Sequence, residues 1–368
     1  MNNTIVLPDR NPTIDVVRGV AILGTLWINI WLFTNIHGLY GALISNADQP
    51  LGERILTSLS QGKFLALLSL IFGVGLSLQL GSARRKAVRW PGRYRTRMLL
   101  LFADGLINYL LIAEFDVLMG YTITGWVVSY LLLTRPRTQT ALIIAFGLVH
   151  TIFISLLAWA ASTFSEPAGE LATPYAHGNF FDLVLFRLDN LGIFRSEPVL
   201  IFALSLALFL AGAKLNDAGV FQPEAGKLRS RLMIIGAIAA PIDLTLGISG
   251  NTSAILVQRY LTAPLVSLGI LAGIIWLCLR FGTPQLLQKV GKTALSCYLL
   301  QNLLAGALFY GWGLGLVNHI QSWRVPATML GYVVVMTAVV LFAHFWLSRF
   351  SIGPVEWAWK KLAKPRKK

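Results

Sequence analysis

The apolar residues of this chain come in runs of sixteen to twenty-three, separated by short polar breaks. A helix rises about 1.5 Å per residue, so runs of that length match the hydrocarbon thickness of a bilayer. Strands of an outer-membrane barrel would be far shorter and would alternate with period two. The pattern predicts an all-α, polytopic transmembrane helix bundle. Ten spans are read, at about 14–33, 62–82, 98–113, 117–133, 141–163, 198–215, 232–249, 260–279, 294–316 and 326–348. Together they form a single integral membrane domain over 1–368. Only Glu114, Phe115 and Asp116 join the third span to the fourth, so a tight helical hairpin is expected there.

Composition agrees with this. The chain is 55% hydrophobic and 13% charged. A soluble domain carries roughly twice that charge fraction. The net charge of +15 would suggest a nucleic-acid partner if its position were ignored. The basic residues instead cluster in alternate loops. Twenty-four fall on one side of the proposed bundle, with Arg18 just inside the adjoining helix. Six fall on the other: Arg54, Lys63, Arg187, Arg195, Arg259 and Arg324. This asymmetry predicts cytoplasmic N- and C-termini and no nucleic-acid partner. The outer loops hold Asp48, Glu53, Glu166, Glu170, Asp182, Asp189 and Glu197. Two of them are long, and short interfacial helices are expected near Glu53–Leu59 and Phe180–Leu191. The first run contains Arg18 and lacks a small-x-small cleavage pattern, so it is expected to stay as an anchored helix. Cys278 and Cys297 lie at or inside apolar runs and do not suggest a disulfide framework.

Polar groups inside the spans are the candidate site, because charge in a bilayer is costly and needs a partner or a wet cavity. Asp15, Arg18 and Asn29 sit in the first span. Eleven helical steps separate Arg18 from Asn29, which places them on one stripe about 16 Å apart. The plainer alternative is that Asp15 and Arg18, three apart, simply pair. In the third span Asp104 and Asn108 share a face, and Asp104 is expected to need a cation such as Arg18 or Arg97, or to stay protonated. Asp116 closes the hairpin, followed by Tyr121 in the fourth span. His150 and His344 are lone intramembrane histidines, more often structural than catalytic. Asp243 follows Pro241, where a kink would free backbone carbonyls. Ser296, Tyr298, Gln301 and Asn302 form a polar set in the ninth span. Arg95 and Arg97 abut the third span and could clamp a phosphate. Walker, zinc-protease, paired-cysteine and serine-elbow motifs are absent, and no metal site is expected. Gly73-Val74-Gly75 lies within an apolar span and reads as helix packing.

Several stretches, in order along nearly the whole chain, resemble one family. They are Ile14 to Gly24 with Asn29; Lys63-Phe64-Leu65 with Ile71 to Gly75; Gly105 to Asn108 with Asp116, Tyr121 and Gly125; Gly291 to Gln301; and Gly353 to Trp357 with Trp359 and Lys360. The chain resembles the YeiB-like family of bacterial inner-membrane proteins, a family named for its unknown function. That family is similar in turn to the transmembrane acyltransferase superfamily. In the O-acetyltransferases of that superfamily the first helix reads Asp-x-x-Arg, then ten residues, then a histidine taken as the base. Here Asp15, Arg18 and the gap are kept, but Asn29 stands at the last position. Asn108 likewise stands where the YeiB-like pattern usually has His. An amide orients and hydrogen-bonds but cannot take a proton at neutral pH.

The resemblance implies a multi-pass protein of the bacterial inner membrane that moves an acyl group from cytoplasmic acyl-CoA to an extracytoplasmic or lipid-linked acceptor. Asp116, Asp104 and His150 are then the candidate catalytic residues. Asp15, Arg18, Asn29, Asn108, Arg95, Arg97, Tyr121 and Gln301 are the candidate substrate-binding residues. Two alternatives stay open. One is a transporter or flippase of a small or lipid-linked anion, with Asp104 and Asp243 as proton or cation sites. The other is a non-catalytic scaffold or sensor.

Overall fold

The computed structural model describes residues 11–44, 49–92, 94–163 and 172–362. Asp48, Arg93, Glu166 and Glu170 lie outside the described residues. All regular structure among the described residues is helical. Ten longer helices fall on the ten apolar ranges: α1 Pro12–Phe33, α2 Lys63–Arg85, α3 Tyr94–Leu111, α4 Leu118–Leu131, α5 Pro136–Thr163, α6 Phe202–Asp217, α7 Gly226–Ile248, α8 Ala263–Phe281, α9 Ala294–Phe309 and α10 Arg324–Arg349. Six helical stretches, which include α1, α2, α5, α7, α8 and α10, are long and apolar enough to cross a membrane. A seventh arises if Leu191–Leu200 and α6, bent by 43°, count as one span. The ninth range, read to 316, ends as a helix at Phe309. The backbone turns extended at Tyr310, which ends the helix, and Gly311, Gly313 and Gly315 follow, the last with a left-handed backbone.

Local chemistry sets the ends of α1. Asn11 caps it by accepting from the Thr13 N–H at 3.0 Å, and Pro12 occupies the first turn where its missing N–H costs nothing. At the far end the Thr34 hydroxyl donates to the Ile30 carbonyl at 3.0 Å. α1 and α2 are central: their most apolar stretches are 61% and 67% buried, against 17% for α5 and 28% for α7 and α10. The outward stripe of α5, with Ile144, Leu148, Ile152, Leu156 and Trp159 exposed, suits lipid contact.

α2 and α6 cross backbone to backbone. A Cβ at Gly73 would collide with the Phe209 carbonyl, and one at Gly212 with the Leu70 carbonyl. That is the small-residue packing expected where helices associate without a hydrophobic drive. The Pro241 of α7 is accommodated within a helix that runs on to Ile248. The interfacial helices appear as Leu51–Ser58 and Phe180–Asp189, the latter opened by a full capping box of Asn179 and Asp182.

Candidate functional site

A cavity of about 310 Å³ opens at the end of the bundle where α1 stops and α2 starts, opposite the basic loop that follows α2. Its walls bring together distant parts of the chain. α1 supplies Thr25 and Asn29, the α3–α4 hairpin supplies Asp116 and α4 Tyr121, and α9 supplies Tyr298. The segment before α6 adds Arg195 and Glu197, and the turn before α8 adds Arg259 and Tyr260.

Asp116 is the best-organised acid on this wall. It is 2% exposed, and its carboxylate accepts from the Asn108 amide at 2.9 Å and the Met119 N–H at 3.2 Å. Gly105, three residues before Asn108, lets the carboxylate approach α3 closely; a Cβ there would meet it at 2.9 Å. Arg195 does not bond the carboxylate. Its guanidinium donates to the backbone carbonyls of Asp116, at 3.1 Å, and of Glu114, while lying 4.1 Å from the Tyr109 ring centre. Behind it, Arg187 pairs with Glu114 at 3.2 Å, both fully buried. Asp116 thus sits on a hairpin tip clamped from two sides. The tip lies outside both α3 and α4, and burial pushes the Asp116 carboxyl up to about 6. A carboxylate so placed is poised to exchange a proton near neutral pH.

The remaining charges of the cavity are paired. Arg259 meets Glu197 at 2.5 Å, and the Tyr260 hydroxyl donates to the same carboxylate at 2.9 Å. Arg324 meets Glu53 at 2.9 Å. Behind the wall, Lys63 pairs with Asp243, which also accepts from Gln258 at 3.2 Å and Thr262 at 2.9 Å. Residues Gln258–Thr262 form a π-helical turn, a geometry frequent at functional sites. Among the described residues no three His, Cys, Asp or Glu side chains come together to hold a metal. Cys278 and Cys297 are buried and free.

The structure brings Asn29, Asn108, Asp116 and Tyr121 to the cavity or its supporting shell and leaves the others elsewhere. Asp15 and Arg18 pair at 3.5 Å toward the other end of α1, the plainer reading of their spacing. There Gly291 packs on the Asp15 backbone. Asp104, expected to take a cation such as Arg18 or Arg97 or to stay protonated, has no ion pair among the described residues. The Trp359 indole donates to its carboxylate at 2.5 Å, because the C-terminal helix Pro354–Leu362 folds back onto α3. His150 sits 3.2 Å from the Tyr260 carbonyl, behind the wall. Arg95 and Arg97 are exposed and bond Tyr130 at 2.8 Å and Gln79 at 2.5 Å. Gln301 is buried with its amide 3.5 Å from the Thr25 hydroxyl. Tyr121 lines the cavity but spends its hydroxyl on Ser69 at 2.7 Å and the Leu65 carbonyl at 2.8 Å.

Arg195, Glu197, Arg259 and Tyr260 escaped the sequence reading. Arg195, Glu197 and Arg259 belong to segments between apolar runs, where charge is ordinary, and Tyr260 starts an apolar run; only the folded chain shows them lining a cavity. Lys63 and Asp243 carried a usable signal, since each is an ionisable residue in an apolar stretch.

A family model described as "Protein of unknown function (DUF418)" matches residues 215–366. The chain is similar to the uncharacterized protein YxaH of Bacillus subtilis (strain 168), with 25% identity over 96% of this chain and 94% of that one. It is also similar to the uncharacterized protein YeiB of Escherichia coli (strain K12), with 28% identity over 96% of each. Together these matches support a YeiB-like family relationship. They cover the Asp116 hairpin and the Lys63–Asp243 pair as well as the C-terminal half.

Proposed function

We propose that this chain is a ten-span inner-membrane acyltransferase with cytoplasmic termini, whose acceptor binds in the extracytoplasmic cavity and whose base is Asp116. The observation that carries this reading is the buried Asp116 carboxylate on the cavity wall. Two N–H donors orient it, and among the described residues no cation bonds it directly. The positive-inside asymmetry assigns the cavity to the outer side. Asn108 cannot be a base, and this arrangement gives it the role its chemistry allows: it fixes one oxygen of the base.

In the transfer, Asp116 takes the proton of the acceptor hydroxyl or amine as that atom bonds to the acyl carbon. The carbon–sulfur bond of the acyl-CoA thioester breaks, and the leaving thiolate takes a proton from Asp116. Arg95 and Arg97, expected to hold the donor's phosphates, do not line the cavity, so no step is drawn through them. Purified protein in nanodiscs, given acetyl-CoA and longer acyl-CoAs, tests the reading by thiol release. Wild type should release CoA and Asp116→Asn should not. Silence of the wild type with every donor would sink the proposal.

The Lys63–Asp243 pair favours a second reading, a transporter of a small or lipid-linked anion. Buried ionisable pairs mark ion and proton paths in membrane proteins. It predicts uptake that depends on the proton gradient and is lost in Asp243→Asn.

A further inference from the structure

Between Leu111 and Leu118 the chain forms no regular structure, yet this stretch carries Asp116. Its backbone carbonyls have no helical partners, and two arginines from further along the chain supply the donors. Arg187 donates to the Leu110 and Ile112 carbonyls, both at 3.0 Å. Arg195 donates to the Glu114 carbonyl and, at 3.1 Å, to the Asp116 carbonyl. Every second carbonyl from Leu110 to Asp116 is therefore held by a guanidinium. The planar fork of Arg suits it to span two acceptors at once, and bonds from a charged donor are stronger than neutral ones.

The two arginines differ in what becomes of their charge. Arg187 is 1% exposed, does not line the cavity and is neutralised by Glu114 at 3.2 Å. Arg195 does line the cavity, and among the described residues no carboxylate lies within ion-pair distance of it. The other two arginines of the wall are paired, Arg259 with Glu197 and Arg324 with Glu53. Arg195 thus sets an unneutralised charge beside the hairpin tip. A nearby cation favours the charged form of a carboxyl. Burial raises Asp116 to about 6, and the charge of Arg195 works against that rise. Its hydrogen bonds go to the backbone, so the carboxylate itself stays free to exchange a proton.

We propose that Arg195 is the positioning residue of the Asp116 base, pinning its backbone and supplying the charge that favours its carboxylate. The inference rests on the acyl-transfer reading. Arg195 keeps its own protons throughout, and Asp116 carries the one that moves. The division of work is then clear: Asn108 and the Met119 N–H orient the carboxylate, and Arg195 fixes the chain that bears it.

The test uses the full chain in nanodiscs with acetyl-CoA, reading free thiol between pH 5 and 9. Wild-type activity should rise through a midpoint near that of Asp116, about 6. Arg195→Met removes both charge and fork. Its midpoint should move up by about one pH unit, because a carboxyl without its neighbouring cation holds its proton longer. Its kcat should fall by about a hundredfold, the scale for a misplaced reacting group. Arg195→Lys restores the charge but not the fork, so the midpoint should return toward that of the wild type while kcat stays below it. In detergent micelles the same titration is read without turnover, as the carboxylic-acid infrared stretch that Asp116→Asn lacks, so a slow variant still reports. Should Arg195→Met not fold, Arg195→Gln carries the same measurement. A neutral variant whose midpoint stays within about 0.2 pH units of the wild type, or an equal upward move in Arg195→Lys, makes Arg195 merely structural. The assignment then falls and Asp116 as base stands. A wild type silent with every acyl-CoA removes both.

Discussion

The Lys63–Asp243 pair offers the sharpest test of the described packing. Both side chains are nearly inaccessible, at 7% and 1%. Lys63 also donates to the Ser58 carbonyl at 2.6 Å. Lys63→Met keeps the volume of the stem and removes the charge together with the hydrogen bond to Ser58. It leaves a buried carboxylate with Gln258 and Thr262 as its remaining donors. Breaking a buried pair in this way costs about 3–5 kcal/mol, because the survivor keeps its desolvation penalty without its partner. Asp243→Asn strands the ammonium and should cost a similar amount. The double variant Lys63→Met/Asp243→Asn strands neither charge, so it should recover at least half of the sum. The coupling energy should then exceed about 2 kcal/mol. Reversible unfolding in mixed micelles, followed by tryptophan fluorescence, gives the four free energies. A loss under about 1 kcal/mol for Lys63→Met, or strict additivity in the double variant, would refute the reasoning.

Three further outcomes follow from other parts of the molecule. The Asp116 carboxyl is raised from 3.8 to about 6, so the stability it contributes is fully present below the unfolded value and is lost as pH rises through about 6. The melting temperature of wild type relative to Asp116→Asn should therefore fall from pH 4 to pH 7, while acyl-transfer activity rises over the upper part of that range; a flat difference in melting temperature contradicts the assignment. Gly73→Ala should destabilise the α2–α6 crossing by about 1–3 kcal/mol, because its methyl meets the Phe209 carbonyl rather than a movable side chain. Unfolding of Gly73→Ala next to Gly75→Ala checks this, since a Cβ at Gly75 has nothing nearer than Arg18 at 3.5 Å. Glu356 caps α9 by accepting from the Leu295 N–H at 2.9 Å and the Ser296 hydroxyl at 2.5 Å. Glu356→Ala should cost about 1 kcal/mol and speed hydrogen exchange at the start of α9, and unchanged exchange there would count against the cap.

What the sequence made legible follows from which forces act locally. Span positions depend on the length of each apolar run, a property of consecutive residues, and all ten ranges hold helices. The extent of α9 was overread because glycine-rich apolar sequence continues past Phe309, and hydropathy does not register the extended backbone at Tyr310. The Asp15–Arg18 pair and the Gly73 contact were also local enough to read. The cavity was not. Arg195 and Glu197 lie two residues apart, yet one grips the α3–α4 hairpin and the other answers Arg259, sixty-two residues further on. Nothing in a charged loop distinguishes such residues from solvated ones.

Asp104 shows the same limit from the other side. Periodicity put it on the face of Asn108, but its partner came from Trp359, 255 residues away. The residue that mattered most was half visible. Asn108 could be seen as a polar group inside the third span and Asp116 as the acid closing the hairpin eight residues later. Only the turn at Glu114–Asp116 brings the carboxylate back onto α3, and only then does the Asn108 amide orient it. The amide at position 29 fits the same logic. It lines the cavity as a hydrogen-bonding group, so the base proposed for this site, Asp116, comes from the α3–α4 turn instead.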